Sequence, residues 1–193
     1  MGNTIAPVET AGKILISLIV DMSGSMSPLA EDVRGMINGF ITDQKKHPGE
    51  ALFTLTAFDT VVETPFVAVP LGEVPEITEK HYKPRGWTAL LDAVGITIRQ
   101  TEEAVLKHKP DQVLCVIITD GYENRSTEWT QAQLSKLVKE KQGHPTEPWQ
   151  FVFTGANIDQ WAEANKIGGA VMAANSMNYN FSPAGIQDLK TSL

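Results

Sequence analysis

The sequence predicts a single α/β domain with a doubly wound, mostly parallel central sheet of about six strands. Strand and helix patterns alternate almost throughout, which is typical of this class. The first strand is a short run of apolar, β-branched residues, as expected for a parallel strand that is buried on both faces. The length of 193 residues suits one domain with a real core. We therefore expect helices on both faces of the sheet and one antiparallel strand at its edge.

Five segments predict the strands, and a sixth is weaker. They are residues 13–20, 51–58, 61–69, 113–119 and 150–154, followed by a short candidate at 170–173. Pro65 lies inside the third segment, and because proline cannot donate to a neighbouring strand, this segment is predicted at the edge. A tight turn at Asp59-Thr60 would make it antiparallel to the strand before it.

The helices are predicted from their capping residues and apolar stripes. Ser27-Pro28 predicts an N-cap followed by the first helical residue, and this helix would end before Pro48-Gly49. A long helix is predicted over 88–107, and Thr130-x-x-Gln133 predicts a capping box that opens the next one. Further helices are predicted over 157–168 and from Ser182 onward. The whole chain, 1–193, is interpreted as one domain with its core at about 13–175 and an extension or helix at 176–193.

Oxygen-bearing side chains follow the first strand directly. Asp21, Ser23 and Ser25 stand at alternate positions on a short loop that contains a glycine. Ligands of open α/β sheets bind at the carboxyl ends of the strands, where this loop would lie. Small oxygen ligands on a tight loop suit a hard cation such as Mg²⁺. The motif thus predicts a metal-dependent binding site rather than a catalytic pocket.

Two more oxygen ligands stand in comparable positions further along the chain. Thr88 opens the long helix within Gly86-Trp87-Thr88, and Asp120 follows the hydrophobic strand over 113–119. If the first and fourth strands are parallel neighbours, Asp21 and Asp120 lie at the same edge of the sheet. Between them would be the crevice where the strand order reverses. The predicted metal ligands are therefore Asp21, Ser23, Ser25, Thr88 and Asp120.

This set resembles the von Willebrand factor type A (vWA) domain and its metal-ion-dependent adhesion site (MIDAS), as found in bacterial or phage intracellular members. The family pattern is Asp-x-Ser-x-Ser, then a Thr in a Gly-rich loop, then an Asp after the central strand. The resemblance covers most of the chain, from about Ile14 to the last strand. Where the family often has Gly-Gly-Thr, this chain carries Trp87, which would cover one side of the site or help to select the partner.

The resemblance implies a role for each ligand. Ser23 and Ser25 would coordinate Mg²⁺ directly, as would Thr88 in the ligand-competent state, with Mn²⁺ or Ca²⁺ as alternatives to Mg²⁺. Asp21 and Asp120 would act largely through water. A Glu or Asp from a partner protein would complete the coordination. Family members also act as partners of AAA+ ATPases and in larger assemblies, and the sequence does not decide among these contexts.

Bulk properties exclude several other classes of partner. The net charge of −7 argues against nucleic acid and anionic membranes. No segment approaches the roughly 18 apolar residues of a membrane span, and the first residues lack a basic signal-peptide region. The single cysteine, Cys115, is interpreted as a small buried hydrophobe and cannot form an internal disulfide. We expect a cytoplasmic protein, with a virion as the alternative location.

Two alternative functions are retained beside the interaction module. The chain could be a structural component of a virion or another large assembly that uses the fold as a scaffold. Less favoured is a metal-dependent phosphohydrolase, because such enzymes resemble Asp-x-Asp and this chain has Ser23 where the second Asp should stand. We find no catalytic set, so the sequence predicts a protein that is not an enzyme.

Four polar residues close to these motifs are interpreted as structural. Asp59 is predicted to form a turn, although it would lie at the same edge of the sheet. Asp92 stands in the first turn of the long helix, where a carboxylate favours the helix dipole. Glu123 and Asn124 are predicted to face solvent.

Overall fold

The computed structural model describes residues 12–119, 123–145 and 149–155. The strands are β1 (Lys13–Asp21), β2 (Glu50–Phe58), β3 (Val62–Pro70), β4 (Gln112–Thr119) and β5 (Trp149–Gly155). The helices are α1 (Ala30–Gln44), α2 (Leu90–His108) and α3 (Gln131–Gln142), with short 3₁₀ turns at Gly24–Leu29 and Leu71–Glu73. Within the described residues, no helix is both long and apolar enough to cross a membrane.

The sheet has the strand order β3-β2-β1-β4-β5. β1 is central and parallel to both β2 and β4, and β5 is parallel to β4. β3 lies at the edge and is antiparallel to β2, as Pro65 predicts. The chain thus runs outward from β1 on one side and returns to β4 on the other, which confirms the doubly wound fold class. The predicted strand at 170–173 and the helices over 157–168 and from Ser182 lie outside the described residues, and the domain bounds stay a prediction.

Both faces of the sheet are covered, because the side chains of the central strands alternate. Leu15 and Ile19 of β1 join the core on the side of α2 and α3. Ile16 and Leu18 join the core on the side of α1. α1 contributes Val33, Ile37 and Ile41 to that second core. Full burial of each such aliphatic side chain contributes about 1.5–3 kcal/mol, so the two cores dominate the stability of the domain.

The start of the first helix differs from the prediction. Ser27 is not an N-cap, since the chain continues as a 3₁₀ turn with Pro28 inside it, and α1 begins only at Ala30. Met26 is fully buried in this turn, and its N–H donates to the carbonyl of Ser23 at 3.0 Å. Burial of Met26 therefore outweighs the local capping preference. As a consequence, the loop after β1 is wound tightly.

Buried hydroxyls fix α2 on the sheet. Thr97 donates to Thr56 of β2 at 2.9 Å, and the hydroxyls of Thr101 and Ser17 of β1 lie 2.8 Å apart. These bonds satisfy polar groups that would be costly to bury alone. They also set the position of α2 along the sheet, and the segment that contains Thr88 leads directly into this helix.

Two local predictions hold in the described part of the chain. Thr130 and Gln133 form the predicted capping box at the start of α3. Cys115 is fully buried in β4, and its burial raises the pKa of the thiol well above the usual range. Cys115 is therefore an inert core residue.

Candidate metal centre

Asp21 ends β1 at the point where the strand order reverses. Its side chain is fully buried. One carboxylate oxygen accepts the N–H of Ser23 at 2.7 Å, and the other accepts the hydroxyl of Thr119, the last residue of β4, at 2.5 Å. The carboxylate is thus held across the boundary between β1 and β4, which is the crevice that the sequence predicts.

Ser23 and Ser25 bring two hydroxyl oxygens together beside this carboxylate. Their Oγ atoms lie 3.0 Å apart. Ser23 is buried, whereas Ser25 is exposed, so the pair reaches from the interior to the surface. Hydroxyl and carboxylate oxygens are the donors that a hard divalent cation prefers. The donor set that the structure brings together therefore fits such a cation.

The segment before Thr88 is bound to the loop after β1. Arg85 donates its N–H to the carbonyl of Met22 at 2.6 Å, and Gly24 donates to the carbonyl of Gly86 at 3.2 Å. Thr88 itself is buried, with 3% of its surface exposed. Two predicted ligand loops that are about sixty residues apart in sequence thus form one structure at the carboxyl end of β1.

Gly86 allows this close approach. Its φ of +67° lies in the left-handed region that favours glycine. A Cβ atom there would lie 2.9 Å from Oγ1 of Thr60 and 3.2 Å from the carboxylate of Asp59. Any side chain would therefore push the Thr88 segment away from the turn between β2 and β3.

Glu123 and Asn124 hold the Thr88 segment from the other side. The side-chain oxygen of Asn124 accepts the N–H of Thr88 at 3.1 Å, and the N–H of Asn124 donates to the carbonyl of Thr88 at 3.1 Å. Glu123 accepts the N–H of Leu91 in the first turn of α2 at 2.9 Å. Asn124 is exposed, as predicted, but the prediction of a merely solvent-facing pair misses these contacts.

Asp120 lies outside the described residues. Its neighbours in sequence contact the centre from both directions: Thr119 donates to Asp21, and Asn124 is paired with Thr88. Within the described ranges, no cluster of three or more His, Cys, Asp or Glu side chains could hold a metal. The donors that the described residues bring together are the hydroxyls of Ser23 and Ser25 beside the carboxylate of Asp21. The ligand role of all five predicted residues stays a prediction.

Asp59 forms its predicted turn and also binds Arg85, which precedes the Thr88 segment. Its carboxylate accepts the N–H of Val61 at 2.7 Å and the Nε–H of Arg85 at 2.8 Å. Arg85 also pairs with Glu63. Hydrogen bonds to Asp59 and Glu63 raise the pKa of Arg85 above its ordinary value. Arg85 is 56% exposed in its side chain, and its positive charge is offset there by the carboxylates of Asp59 and Glu63.

Asp92 is structural, but by a different means from the predicted one. Its carboxylate accepts the N–H groups of Thr127, Glu128 and Trp129 at 2.8–3.0 Å. It therefore fastens the segment that leads from β4 to α3 onto the first turn of α2. Gly95, one turn further along α2, leaves the space that the indole of Trp129 fills.

Three contributors to the centre are missing from the sequence analysis. Tyr82 is fully buried and donates its hydroxyl to the carbonyl of Asp21 at 2.7 Å, Thr119 binds the carboxylate of Asp21, and Arg85 holds the Thr88 segment. Thr119 offered the only local signal, because it ends a strand directly before the predicted ligand Asp120. Tyr82 and Arg85 lie in an irregular connection that gives no periodic pattern.

No protein-family model matches the sequence, and no curated protein matches it. Solved structures, however, are similar to the chain. The chain is similar to a von Willebrand factor type A protein from Catenulispora acidiphila, with 17% identity and a TM-score of 0.64 over 94% of this chain and 42% of that one. It is also similar to the manganese-loaded TRAP protein of Plasmodium vivax, with 16% identity and a TM-score of 0.56 over 91% and 71% of the two chains.

A third similar structure is proximal thread matrix protein 1 from the mussel byssus, with a zinc-occupied MIDAS motif. Its identity is 16% and its TM-score 0.60, over 94% of this chain and 45% of that one. The present chain thus spans less than half of the Catenulispora and mussel chains.

These similarities establish the fold: the chain has the architecture of a vWA domain. Two of the three structures carry a divalent metal, manganese in one and zinc in the MIDAS motif of the other. The three proteins come from a Catenulispora, a mussel and a Plasmodium, so the fold does not favour the predicted bacterial or phage origin.

Proposed function

We propose that the chain is a metal-dependent protein-interaction module that holds a divalent cation, Mg²⁺ before Mn²⁺ or Ca²⁺, and binds a carboxylate of a partner protein. One observation carries this proposal. The loop after β1, the Thr88 segment and the segment after β4 are joined by hydrogen bonds around the buried carboxylate of Asp21. The manganese and zinc in two structures of the same fold support a metal at this place.

The predicted ligands differ in charge, and their proposed roles toward the cation differ accordingly. Ser23, Ser25 and Thr88 are neutral donors, which would leave a bound cation most of its positive charge. Asp21 is held by its own hydrogen bonds, and together with Asp120 it would supply the balancing negative charge. When bound, the cation would supply a Lewis-acidic position that an Asp or Glu side chain of the partner can fill.

The environment of Asp21 supports a function other than catalysis. A nucleophilic carboxylate must reach its substrate, whereas the side chain of Asp21 is fully buried. Both of its oxygens accept hydrogen bonds, which lowers their nucleophilicity. We therefore propose that the chain is not an enzyme. Magnesium-dependent hydrolysis of a phosphate ester that is lost in Asp21→Asn would contradict this.

The partner is proposed to be a protein with an exposed acidic residue. An AAA+ ATPase and a larger assembly, including a virion, are the contexts that we would examine first. The proposed location is the cytoplasm. A chain that co-purifies with particles instead would favour the virion and a scaffold role.

An affinity pull-down from source lysate tests the proposal. Wild type is compared in Mg²⁺ and in EDTA, and in Mg²⁺ with Ser23→Ala and Asp120→Ala. Ser23→Ala removes the hydroxyl but keeps the backbone N–H that Asp21 accepts. Ser27→Ala is the matched control, since Ser27 is an exposed serine of the same turn that is not a predicted ligand.

We expect a partner that is recovered by wild type and Ser27→Ala in Mg²⁺ only. Recovery that is the same in EDTA and in Ser23→Ala would contradict a metal-dependent interaction.

A further inference from the structure

Two large apolar side chains are exposed at the margin of the metal centre. Trp87 is 64% exposed and Val61 is 58% exposed. The N–H of Trp87 donates to the hydroxyl of Thr60 at 3.1 Å, and Val61 follows Thr60 directly in the turn between β2 and β3. The two side chains therefore come from adjoining backbone segments. We call Trp87 and Val61 the apolar rim.

The backbone beneath the apolar rim is fixed, although its side chains are exposed. Gly86, before Trp87, accepts a hydrogen bond from Gly24, and Thr88, after it, is paired with Asn124. The N–H of Val61 is held by Asp59 at 2.7 Å. An exposed aromatic side chain on a fixed backbone loses little freedom when a partner covers it, which is the property of interface anchors. The exposure of Trp87 also favours partner selection over shielding of the site.

Charge determines what kind of partner fits beside the apolar rim. The chain has a net charge of −7, and the guanidinium of Arg85, two residues before Trp87, is already paired with the carboxylates of Asp59 and Glu63. The proposed cation is therefore the positive charge at this place that a partner could use. That cation would attract a carboxylate against the overall charge of the chain, whereas further acidic groups of a partner would be repelled, so the remaining contact is apolar. The partner must therefore combine an acidic group with an apolar one.

We infer that the apolar rim selects partners in which the metal-binding Asp or Glu lies beside a large apolar side chain. This inference rests on the proposed function, because the carboxylate is taken to reach the metal centre. It assigns Trp87 and Val61 as determinants of specificity. The metal would supply the requirement for an acidic residue, and the rim would choose among acidic segments.

A random peptide library displayed on phage tests this. Peptides are bound to the full chain in Mg²⁺ and eluted with EDTA, for wild type, Trp87→Ser, Val61→Ser and Ser23→Ala. Leu106→Ser is the matched control, because Leu106 is 79% exposed but lies near the far end of α2 from Thr88. The measured quantities are the enrichment of Asp and Glu and that of large apolar residues within two positions of them.

We expect peptides from wild type and Leu106→Ser to combine an acidic residue with Phe, Trp or Leu. In Trp87→Ser the apolar enrichment is expected to disappear, and a synthetic wild-type-selected peptide should bind it about tenfold or more weakly. Val61→Ser should show a smaller loss. Acidic enrichment with no apolar preference, or an unchanged preference in Trp87→Ser, would overturn the inference and leave the proposed function standing.

Failure of the proposed function would have a different signature. Peptides would then resist elution by EDTA, and Ser23→Ala would select the same sequences as wild type. That result would overturn the inference as well. The inference would also be overturned if two copies of the chain cover each other's apolar rim, so that wild type binds no peptide. Light scattering detects such a dimer in wild type and its loss in Trp87→Ser.

Discussion

Asn124 is the residue whose contribution to the centre is most specific. It pairs with both backbone groups of Thr88 but is not itself a predicted ligand. In Asn124→Ala the side-chain half of this pairing is lost, which should cost about 1 kcal/mol of unfolding free energy. Because Thr88 is then less well positioned, Mn²⁺ affinity should also fall, by several-fold. Urea denaturation and a calorimetric Mn²⁺ titration measure the two quantities.

Asn38→Ala is the matched control for that experiment. Asn38 binds the backbone N–H and carbonyl of Ile77 at 2.8 and 3.0 Å, away from the predicted ligands. Its loss removes two side-chain hydrogen bonds, so it should lower stability at least as much, and it should leave Mn²⁺ affinity unchanged. Equal effects of the two variants on Mn²⁺ affinity would mean that Asn124 contributes only stability.

At the residue scale, the sequence indicated candidate ligands but not the residues that hold them in position. Asp21, Ser23 and Ser25 form a local motif after a strand, so their proximity follows from neighbouring positions. The contacts of Thr88 with Asn124 and of Asp21 with Tyr82 join segments that are distant in sequence. No local pattern encodes such pairs, because they arise only when the loops meet.

α2 and the segment before α3 are locked together where Trp129 packs on Gly95. A Cβ atom on Gly95 would lie 2.3 Å from the indole ring. Alanine in a helix gains about 1 kcal/mol over glycine, but overpacking costs typically 1–3 kcal/mol and the ring would have to move. We therefore expect Gly95→Ala to lower the melting temperature, which differential scanning calorimetry measures.

Gly39→Ala in α1 provides the opposite case. Nothing lies within 4 Å of a Cβ atom at this exposed position, so only the helix preference remains. This variant should raise the stability by about 0.5–1 kcal/mol. Stabilisation by Gly95→Ala of the same size would mean that Trp129 does not pack against α2.

A charge cluster joins α2 to α3 away from the metal centre. Glu102 accepts from Lys141 at 2.5 Å and from Arg99 at 2.8 Å. Partial burial raises the pKa of Glu102, but hydrogen bonds from Lys141 and Arg99 outweigh it, so the pKa lies below its ordinary value of 4.5. The folded state therefore gains stability from this carboxylate above that pH and loses it as the pH falls through the lowered pKa.

We accordingly expect Glu102→Gln to lower the unfolding free energy by roughly 0.5–1 kcal/mol at pH 7. The deficit should shrink as the pH falls below 4.5 and through the lowered pKa of Glu102. The wild-type carboxyl group then becomes protonated and is neutral, like the Gln side chain of the variant. Denaturation at a series of pH values measures this. Glu103→Gln, at the exposed neighbouring position, is the control, and a deficit that does not change with pH would contradict the ion-pair account.

At the element scale, periodic patterns located the strands and helices, and tertiary packing shifted the ends of some. β3 was predicted at the edge from Pro65, and the capping box at Thr130 was predicted from two residues. The start of α1 was wrong, because burial of Met26 winds the preceding loop into a 3₁₀ turn. That burial depends on the sheet and is not visible in the helix itself.

At the scale of the whole molecule, the strand order of the sheet determines where the candidate site lies. β1 and β4 are parallel neighbours, so the ends of both strands meet at the point where the chain reverses its winding. The sequence predicted this conditionally, from the alternation of elements. The sequence did not predict the apolar rim, because the exposure of Trp87 and Val61 depends on how the turn after β2 meets the Thr88 segment.

The central claim is that the hydroxyls after β1 hold a divalent cation. An electron paramagnetic resonance titration with Mn²⁺ tests it most directly, on wild type, on the double variant Ser23→Ala/Ser25→Ala and on Ser27→Ala. We predict that wild type and Ser27→Ala bind a single Mn²⁺ that Mg²⁺ displaces, and that the double variant does not bind it. A wild-type chain that leaves Mn²⁺ free, or a double variant that binds as wild type does, would contradict the account.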